Sequence, residues 1–116
     1  MVEDIVACVA HSCSEAKGKD IMILDLTKIS DLASHFVIVS ARSDRQAQGI
    51  CNRVLHDLSS IGLEPMSVEG LENGQWVLLD LGEVLVHIFY EPLREYYDLE
   101  GLWAKAKRVS LLPAAA

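Results

Sequence analysis

Apolar residues recur at helical spacing in two stretches of the chain, residues 2–16 and 43–62. In the first stretch they return every three or four positions, and Gly18 follows as a helix end. The second opens with Ser43 and has Gln46 three residues later, the pattern of a helix capping box, and it closes at Gly62. We therefore predict two amphipathic helices. The buried stripe of the second is predicted to comprise Ala47, Ile50, Cys51, Val54, Leu58 and Ile61.

Short apolar runs without alternation occupy residues 20–26 and 36–40. Runs of this length, rich in branched side chains, are typical of strands that are covered on both faces. Another strand is predicted in residues 64–70, and a hairpin in residues 76–90 is followed by a last helical segment that begins near Pro92.

The order of these elements, α-β-β-α-β-β-β-α, predicts a single α/β domain. We expect a mixed, mainly five-stranded β-sheet packed by helices, which spans residues 1–108. Residues 109–116 are expected to form a flexible C-terminal tail. The chain contains no internal repeat and no linker that would separate a second domain.

The predicted hairpin has two faces of different character. A turn centred on residues 81–82 would place Trp76 opposite His87 and Asp80 opposite Glu83. One face would then be aliphatic: Val77, Leu79, Val84, Val86 and Ile88. The other would mix aromatic, aliphatic and acidic residues: Trp76, Leu78, Asp80, Glu83, Leu85, His87 and Phe89. We expect the aliphatic face to lie in the core and the mixed face to bind a protein, with a structural, hydrogen-bonded role as the alternative for the histidine.

Composition and charge narrow the classes of function. The net charge is −7, which repels phosphate backbones, so a direct nucleic-acid ligand is disfavoured as the main partner and a basic protein is favoured. No apolar run reaches the roughly 20 residues that a membrane-spanning helix needs. The first residues are acidic and lack the basic region of a secretion signal, so we expect a cytoplasmic protein without a membrane partner.

The cysteines give no sign of a metal site or of a disulfide framework. Cys8, Cys13 and Cys51 are odd in number and include no closely spaced pair of ligands, which favours reduced, mostly buried thiols. Cys8, His11 and Cys13 lie close in sequence, but on a helix the last of these points away from the other two. We therefore expect no metal and no cofactor.

An enzyme of the small nucleotidyltransferase type is the main alternative, and a generic dimeric adaptor is another. Nucleotidyl transfer needs a Gly-Ser turn followed by paired carboxylates on a neighbouring strand that hold two metal ions. After residues 36–40 the chain has Ala41, Arg42 and Ser43, without glycine. The only Asp-x-Glu pair, Asp98 and Glu100, lies in the predicted C-terminal helical segment. The sequence thus predicts no catalytic residues, while the adaptor alternative stays open.

Three blocks of the chain, residues 17–54, 68–89 and 94–103, resemble the Iojap-related ribosomal silencing factors in order and spacing. The resemblance covers roughly residues 1–108. Its most specific part comprises Glu69-Gly70, Trp76, Asp80, Gly82, Val86-His87, Arg94, Tyr97, Leu99-Glu100 and Leu102-Trp103. The chain departs from the family pattern at residues 34–36, where an acidic residue and a tyrosine are usual, and at residues 41–42, where Gly-Thr is common.

The resemblance implies an α/β fold similar to that of nucleotidyltransferases, a homodimer, and no catalytic role. It further implies binding to the large ribosomal subunit through ribosomal protein fourteen. That contact would block joining of the small subunit and repress translation when nutrients are limiting. An acidic protein suits such a basic partner.

With this resemblance, we predict that the mixed hairpin face and the C-terminal segment beside it bind a partner, either the ribosome or a second copy of the chain. Aromatic side chains would act as anchors, and acidic ones would meet basic groups. The predicted partner-binding residues are Trp76, Asp80, Glu83, His87, Tyr97, Asp98, Glu100 and Trp103.

Overall fold

The computed structural model of the protein describes residues 2–109, which form four helices and six strands. The helices are α1 (Val2–Glu15), α2 (Asp44–Ser60), α3 (Glu91–Tyr97) and α4 (Leu99–Leu102). The strands are β1 (Lys19–Asp25), β2 (His35–Ala41), β3 (Ser67–Glu69), β4 (Trp76–Asp80), β5 (Val84–Tyr90) and β6 (Lys107–Val109). They form one mixed sheet in the order β3-β4-β5-β2-β1-β6, in which β2 and β5 run parallel and the other neighbours antiparallel. The predicted single α/β domain is confirmed.

Helices α1 and α2 cover one face of the sheet, as their apolar spacing predicts. Ser43 caps α2, because its side chain accepts a hydrogen bond from the Gln46 backbone N–H, and Gly62 has a positive φ of 81° after the helix end. The buried stripe of α2 is confirmed except at Ile61, which is 56% exposed. Ile61 is the C-cap of α2, where the backbone leaves helical geometry and its side chain leaves the buried stripe.

Both faces of the sheet are buried at its centre. Strand β2 lies between β5 and β1, and six of its seven residues are buried, which explains its unbroken apolar run. On the face opposite α1 and α2, a second apolar core forms around Leu24, Phe36 and Phe89. Side chains from α3, α4 and the residues after them, including Leu93, pack against this second core. The sheet is therefore sandwiched between two helical layers.

The hairpin faces are confirmed, but the predicted register is wrong. The turn is centred on Gly82 and Glu83, so that Leu78 pairs with His87 and Trp76 with Phe89. Glycine occupies the first central position because φ there is 92°, a value that a leucine would adopt only with strain. The register differs from the prediction by two residues, and an even shift keeps every side chain on its predicted face. The aliphatic face belongs to the core under α1 and α2.

The prediction of five strands is also wrong, because a sixth strand, β6, pairs with the outer edge of β1. This strand has three residues and begins with the exposed Lys107 and Arg108, so it carries no apolar run from which a strand could be predicted. The predicted tail, residues 109–116, lies outside the described residues apart from Val109, which ends β6.

Candidate functional site

Aromatic side chains from β4, β5 and α3 meet at one end of the mixed face. Trp76 is at the centre: its ring centroid lies 4.7 Å from that of Tyr97 and 4.9 Å from that of Phe89. Tyr96, which is 78% exposed, contacts Tyr97 edge to face. These four side chains form what we call the aromatic corner. Its inner member, Phe89, is buried, while its outer tyrosines face solvent, which is the composition of a protein-binding anchor.

His87 lies under this corner in a structural position. It is 5% exposed, and its Nδ1 accepts a hydrogen bond of 3.2 Å from the Nε1–H of Trp76. The ring of Phe36 packs edge to face against it, with centroids 4.6 Å apart. The predicted register placed Trp76 directly opposite His87. In the structure the two residues are diagonal neighbours on the paired strands. The alternative of a structural histidine therefore accounts for all contacts that the structure gives this side chain.

Burial lowers the pKa of His87 from 6.5 to about 4. Since the folded state disfavours the charged ring, the unfolded chain binds more protons between these two pH values. We expect the contribution of His87 to stability to be constant above pH 6.5 and to fall by about 3 kcal/mol as the pH decreases toward 4. Urea unfolding of the wild type and of His87→Gln across this range would measure the difference. The exposed His56 supplies the control, His56→Gln. The fold lowers the pKa of the Asp25 and Asp57 carboxyl groups, which leaves a smaller slope in every variant, so a slope in His87→Gln as steep as that of the wild type contradicts the prediction.

Arg94 is a buried residue, only 7% exposed, and it holds the C-terminal segment to the sheet. Its Nε–H donates to Glu100 Oε2 at 3.0 Å, and its Nη1 donates to the Asp20 carbonyl at 2.6 Å and to Ser40 Oγ at 2.9 Å. One guanidinium on α3 thereby connects α4, β1 and β2. Sequence reasoning missed this role, because the acceptors at Asp20 and Ser40 lie 74 and 54 residues away in the chain.

Two of the predicted acidic contacts have partners inside the protein. Asp98 has a φ of 47° between α3 and α4, and its side chain accepts a hydrogen bond from the Gly101 N–H. Glu100 forms the ion pair with Arg94, and its side chain is 21% exposed. Asp98 remains exposed to solvent. Their role toward a partner stays a prediction; within the chain they shape the segment that presents Tyr97 and Trp103.

The two remaining acidic residues lie at the other end of β4. Asp80 and Trp76 are separated along the strand by four residues, or about 13 Å. The Asp80 carboxylate accepts a hydrogen bond from the Gly82 N–H, and Glu83 is exposed in the turn. The structure therefore places Asp80 and Glu83 at the opposite end of β4 from Trp76.

Between the two ends, strands β3 and β4 leave part of the mixed face uncovered. The pairs Ser67–Asp80 and Glu69–Leu78 share this face, since directly opposed residues point the same way. The side chains of this open patch, together with Trp76, are partly or fully exposed. Trp103, by contrast, is half-buried and packs edge to face on Phe36, with centroids 5.8 Å apart. The mixed face is thus a second core under α3 and α4 and an open surface on β3 and β4.

The possible metal ligands near the N-terminus, Cys8, His11 and Cys13, do not converge on a metal site. His11 is exposed on α1, whereas Cys13 is buried, and burial raises the pKa of Cys13 to about 12. Among residues 2–109, no three His, Cys, Asp or Glu side chains are arranged to hold a metal ion. In the same part of the chain, no helix is both long and apolar enough to cross a membrane.

Comparison with known proteins gives a consistent result. The family model described as "Ribosomal silencing factor during starvation" matches residues 2–115. The ribosomal silencing factor RsfS of Bacillus subtilis is 36% identical over 109 residues, which are 94% of this chain and 92% of that protein. The chloroplastic Iojap protein of Zea mays is 29% identical over 102 residues, 88% of this chain and 44% of that protein.

A solved structure extends the similarity to the fold. The crystal structure of a protein from Chromobacterium violaceum superposes with a TM-score of 0.87 at 35% sequence identity. The superposition covers 90% of this chain and 87% of that one. The mixed sheet and its two helical layers are therefore shared with an experimentally determined relative.

Proposed function

The chain belongs to the family of ribosomal silencing factors, and from this we propose that it binds the large ribosomal subunit and blocks joining of the small subunit. Membership supports a ribosome-associated role in regulating translation. The finer proposal names ribosomal protein fourteen as the contact, and nutrient limitation as the condition in which translation is repressed. The observation that carries it is the family match over residues 2–115, nearly the whole chain.

The charge of the chain supports a basic ribosomal protein as the partner. The protein has 17 acidic and 10 basic residues, and acidic side chains lie at both ends of the mixed face. Electrostatic attraction of this kind mainly increases the association rate and selects among partners. A steric blocker needs no catalytic group, and the Bacillus subtilis relative is named as a ribosomal silencing factor. The proposal therefore includes no catalysis and no cofactor.

The proposed contact surface consists of the open patch, the aromatic corner and the turn at Glu83. Tyr97 is 47% exposed and has Trp76 directly behind it, so it is the best-placed anchor of the eight predicted residues. His87 would act indirectly by fixing the ring of Trp76. Asp98 and Glu100 would add negative charge near the corner while keeping their internal partners.

The proposal also covers the oligomeric state, the cellular location and the topology of the fold. We propose a homodimer in the cytoplasm, with part of the mixed face available to a second copy. We also propose a topology similar to that of nucleotidyltransferases; a mixed sheet with α1 and α2 on one face is compatible with it.

Pelleting with separated ribosomal subunits tests the function. Purified protein is expected to sediment with large subunits and to prevent their association with small subunits. The contact should weaken as salt increases, since it joins opposite charges. Sedimentation with small subunits, or with neither, would contradict the proposed function.

The contact surface is tested separately by Glu83→Lys. This exposed side chain lies in the turn, so its reversal should leave the fold intact and weaken binding to large subunits roughly tenfold, by opposing a basic partner. Glu15→Lys, at the exposed end of α1, changes the net charge equally but lies on the opposite helical layer. Equal losses in the two variants would show that only net charge matters and would refute the assigned surface while leaving the function in place.

A further inference from the structure

The loop between β1 and β2, residues 26–34, is fixed by its own hydrogen bonds. The Leu26 N–H donates to the Ser34 carbonyl at 2.8 Å, and the N–H groups of Ile29 and Ser30 both donate to the Leu26 carbonyl at 3.0 Å. The Ser30 hydroxyl in turn accepts from the Leu32 N–H. A loop held in this way has already lost the conformational entropy that a flexible loop would lose on binding.

The same loop is attached to the β4–β5 turn through a single carbonyl group. The Glu83 carbonyl oxygen accepts hydrogen bonds from the N–H of Ser34 at 2.7 Å, the N–H of His35 at 3.1 Å and the hydroxyl of Ser34 at 3.0 Å. Loop and turn therefore form one preformed unit at the end of the sheet that lies opposite the aromatic corner. We call this unit the loop–turn rim.

Despite this order, the loop–turn rim directs aliphatic side chains into solvent. Leu32 is 63% exposed and Ile29 is 44% exposed. Leu32 lines a groove of about 310 Å³ between the loop and the turn, together with Ala33 and Gly82. Met66, which is 74% exposed, continues the apolar strip, because a Cβ atom at Gly82 would lie only 3.5 Å from its sulfur. Exposed apolar side chains on a rigid support are characteristic of a docking surface.

The charge of the groove indicates what would dock there. The charged side chains that line it are Asp31 and Glu83, both acidic and both exposed. A nucleic acid would be repelled. A second copy of this chain, with 17 acidic and 10 basic residues, would offer these two carboxylates fewer basic side chains than a basic segment does. A basic segment with an aliphatic side chain beside its lysine or arginine satisfies both the apolar wall and the carboxylates.

We propose that the loop–turn rim is a second docking surface, which binds a basic protein segment with an aliphatic anchor in the groove beside Leu32, between Asp31 and Glu83. This surface is separated from the aromatic corner by the length of β4. It shares Glu83 with the proposed ribosome contact but does not depend on that function. A protein that carries both the loop–turn rim and the aromatic corner can contact two neighbouring segments of one assembly at once, which raises its overall affinity.

The test is a nuclear magnetic resonance titration of the isotope-labelled full chain with a short synthetic peptide in which lysine alternates with leucine. The matched probe carries glutamate in place of lysine. We expect the basic peptide to shift amide resonances of residues 26–34 and 81–84, with an effect that decreases as salt is added, and the acidic peptide to cause no shift. Equal shifts with both peptides, shifts confined to the aromatic corner, or no shift at all would overturn the proposal.

Two surface variants locate the binding site. Leu32→Ser should weaken binding of the basic peptide roughly tenfold, because it removes the apolar wall of the groove. Leu102→Ser is the matched control: its side chain is 73% exposed on α4 and does not line the groove, so affinity should remain within about twofold. Equal affinities for the two variants would also overturn the proposal.

Sedimentation of the wild type and of Leu32→Ser tests whether a second copy of the chain occupies the groove instead. If the variant is monomeric where the wild type is a dimer, the groove belongs to a second copy and the basic-segment proposal is wrong. None of these measurements uses ribosomes, so failure here leaves the subunit-pelleting result intact, and failure of pelleting leaves the peptide result intact.

Discussion

Replacing Arg94 with methionine is expected to lower the free energy of unfolding by about 3–5 kcal/mol. Methionine retains much of the volume but donates no hydrogen bond, so the Glu100 carboxylate, the Ser40 hydroxyl and the Asp20 carbonyl lose their common donor. Removing one partner of a buried ion pair leaves an uncompensated charge, which costs more than the pair itself contributes. Thermal unfolding should shift downward by roughly 15–20 °C in a domain of this size.

A comparison within the chain separates burial from charge. Arg53 also forms an ion pair with a carboxylate, Asp57, at the same 3.0 Å, but its side chain is 40% exposed. Arg53→Met is expected to cost less than about 1 kcal/mol, because exposed pairs on a helix surface are screened by water. If the two arginine variants lose equal stability, Arg94 does not hold the C-terminal segment to the sheet in the way that we infer.

The pair can also be removed as a unit. Glu100→Gln combined with Arg94→Met eliminates the unpaired carboxylate, so the double variant should be more stable than Arg94→Met alone. The remaining deficit would measure the contacts of the guanidinium with Ser40 and the Asp20 carbonyl. Trp103 lies in the segment that Arg94 holds, and its fluorescence should report whether that segment detaches before the rest of the domain.

Features that depend on neighbours in sequence could be predicted, whereas features that depend on distant segments could not. The capping of α2 by Ser43 and the two faces of the hairpin follow from local chemistry and from the alternation of side chains. The hairpin register depends on which residue adopts a positive φ, and the prediction placed the turn one residue too early. Assigning Gly82 to the first central position would have corrected it.

The candidate site shows the same division. Trp76 and Glu83 were predicted on the mixed face and Tyr97 in the segment beside it; all three have solvent-accessible side chains, although their binding role stays a prediction. The hydrogen bonds of the buried Arg94 side chain could not be derived from sequence spacing, because two of its acceptors lie in β1 and β2. The covering of the mixed face by α3 and α4 could not be derived from spacing either, because it depends on how the chain packs back against the sheet after β5.

Replacing Gly70 with alanine is expected to lower the free energy of unfolding by about 3–4 kcal/mol, through two effects that add. The φ of Gly70 is 79°, in the left-handed region that disfavours a side chain. A Cβ atom there would also overlap the Trp76 carbonyl oxygen, and Trp76 is paired with Phe89 of β5. Backbone in such a position cannot move away without disturbing its ladder of hydrogen bonds.

Gly62→Ala isolates the first of these effects. Its φ is 81°, almost the same as that of Gly70, but no atom lies within 4 Å of an added Cβ. We therefore expect a loss of about 1 kcal/mol, from backbone strain alone. Chemical denaturation of both variants gives the difference that is due to the overlap with Trp76. A difference near zero would show that the loop before β4 yields freely and that Gly70 does not position Trp76.

The overlap also has a consequence for binding, because Trp76 begins β4 and supports the aromatic corner. Gly70→Ala should displace its backbone and disturb both the hydrogen bond to His87 and the contact with Tyr97. At a temperature where both glycine variants are fully folded, Gly70→Ala should bind large subunits more weakly than Gly62→Ala. Equal binding would mean that recognition does not require the geometry of the aromatic corner, and the contact would then have to be made by the open patch and the turn at Glu83.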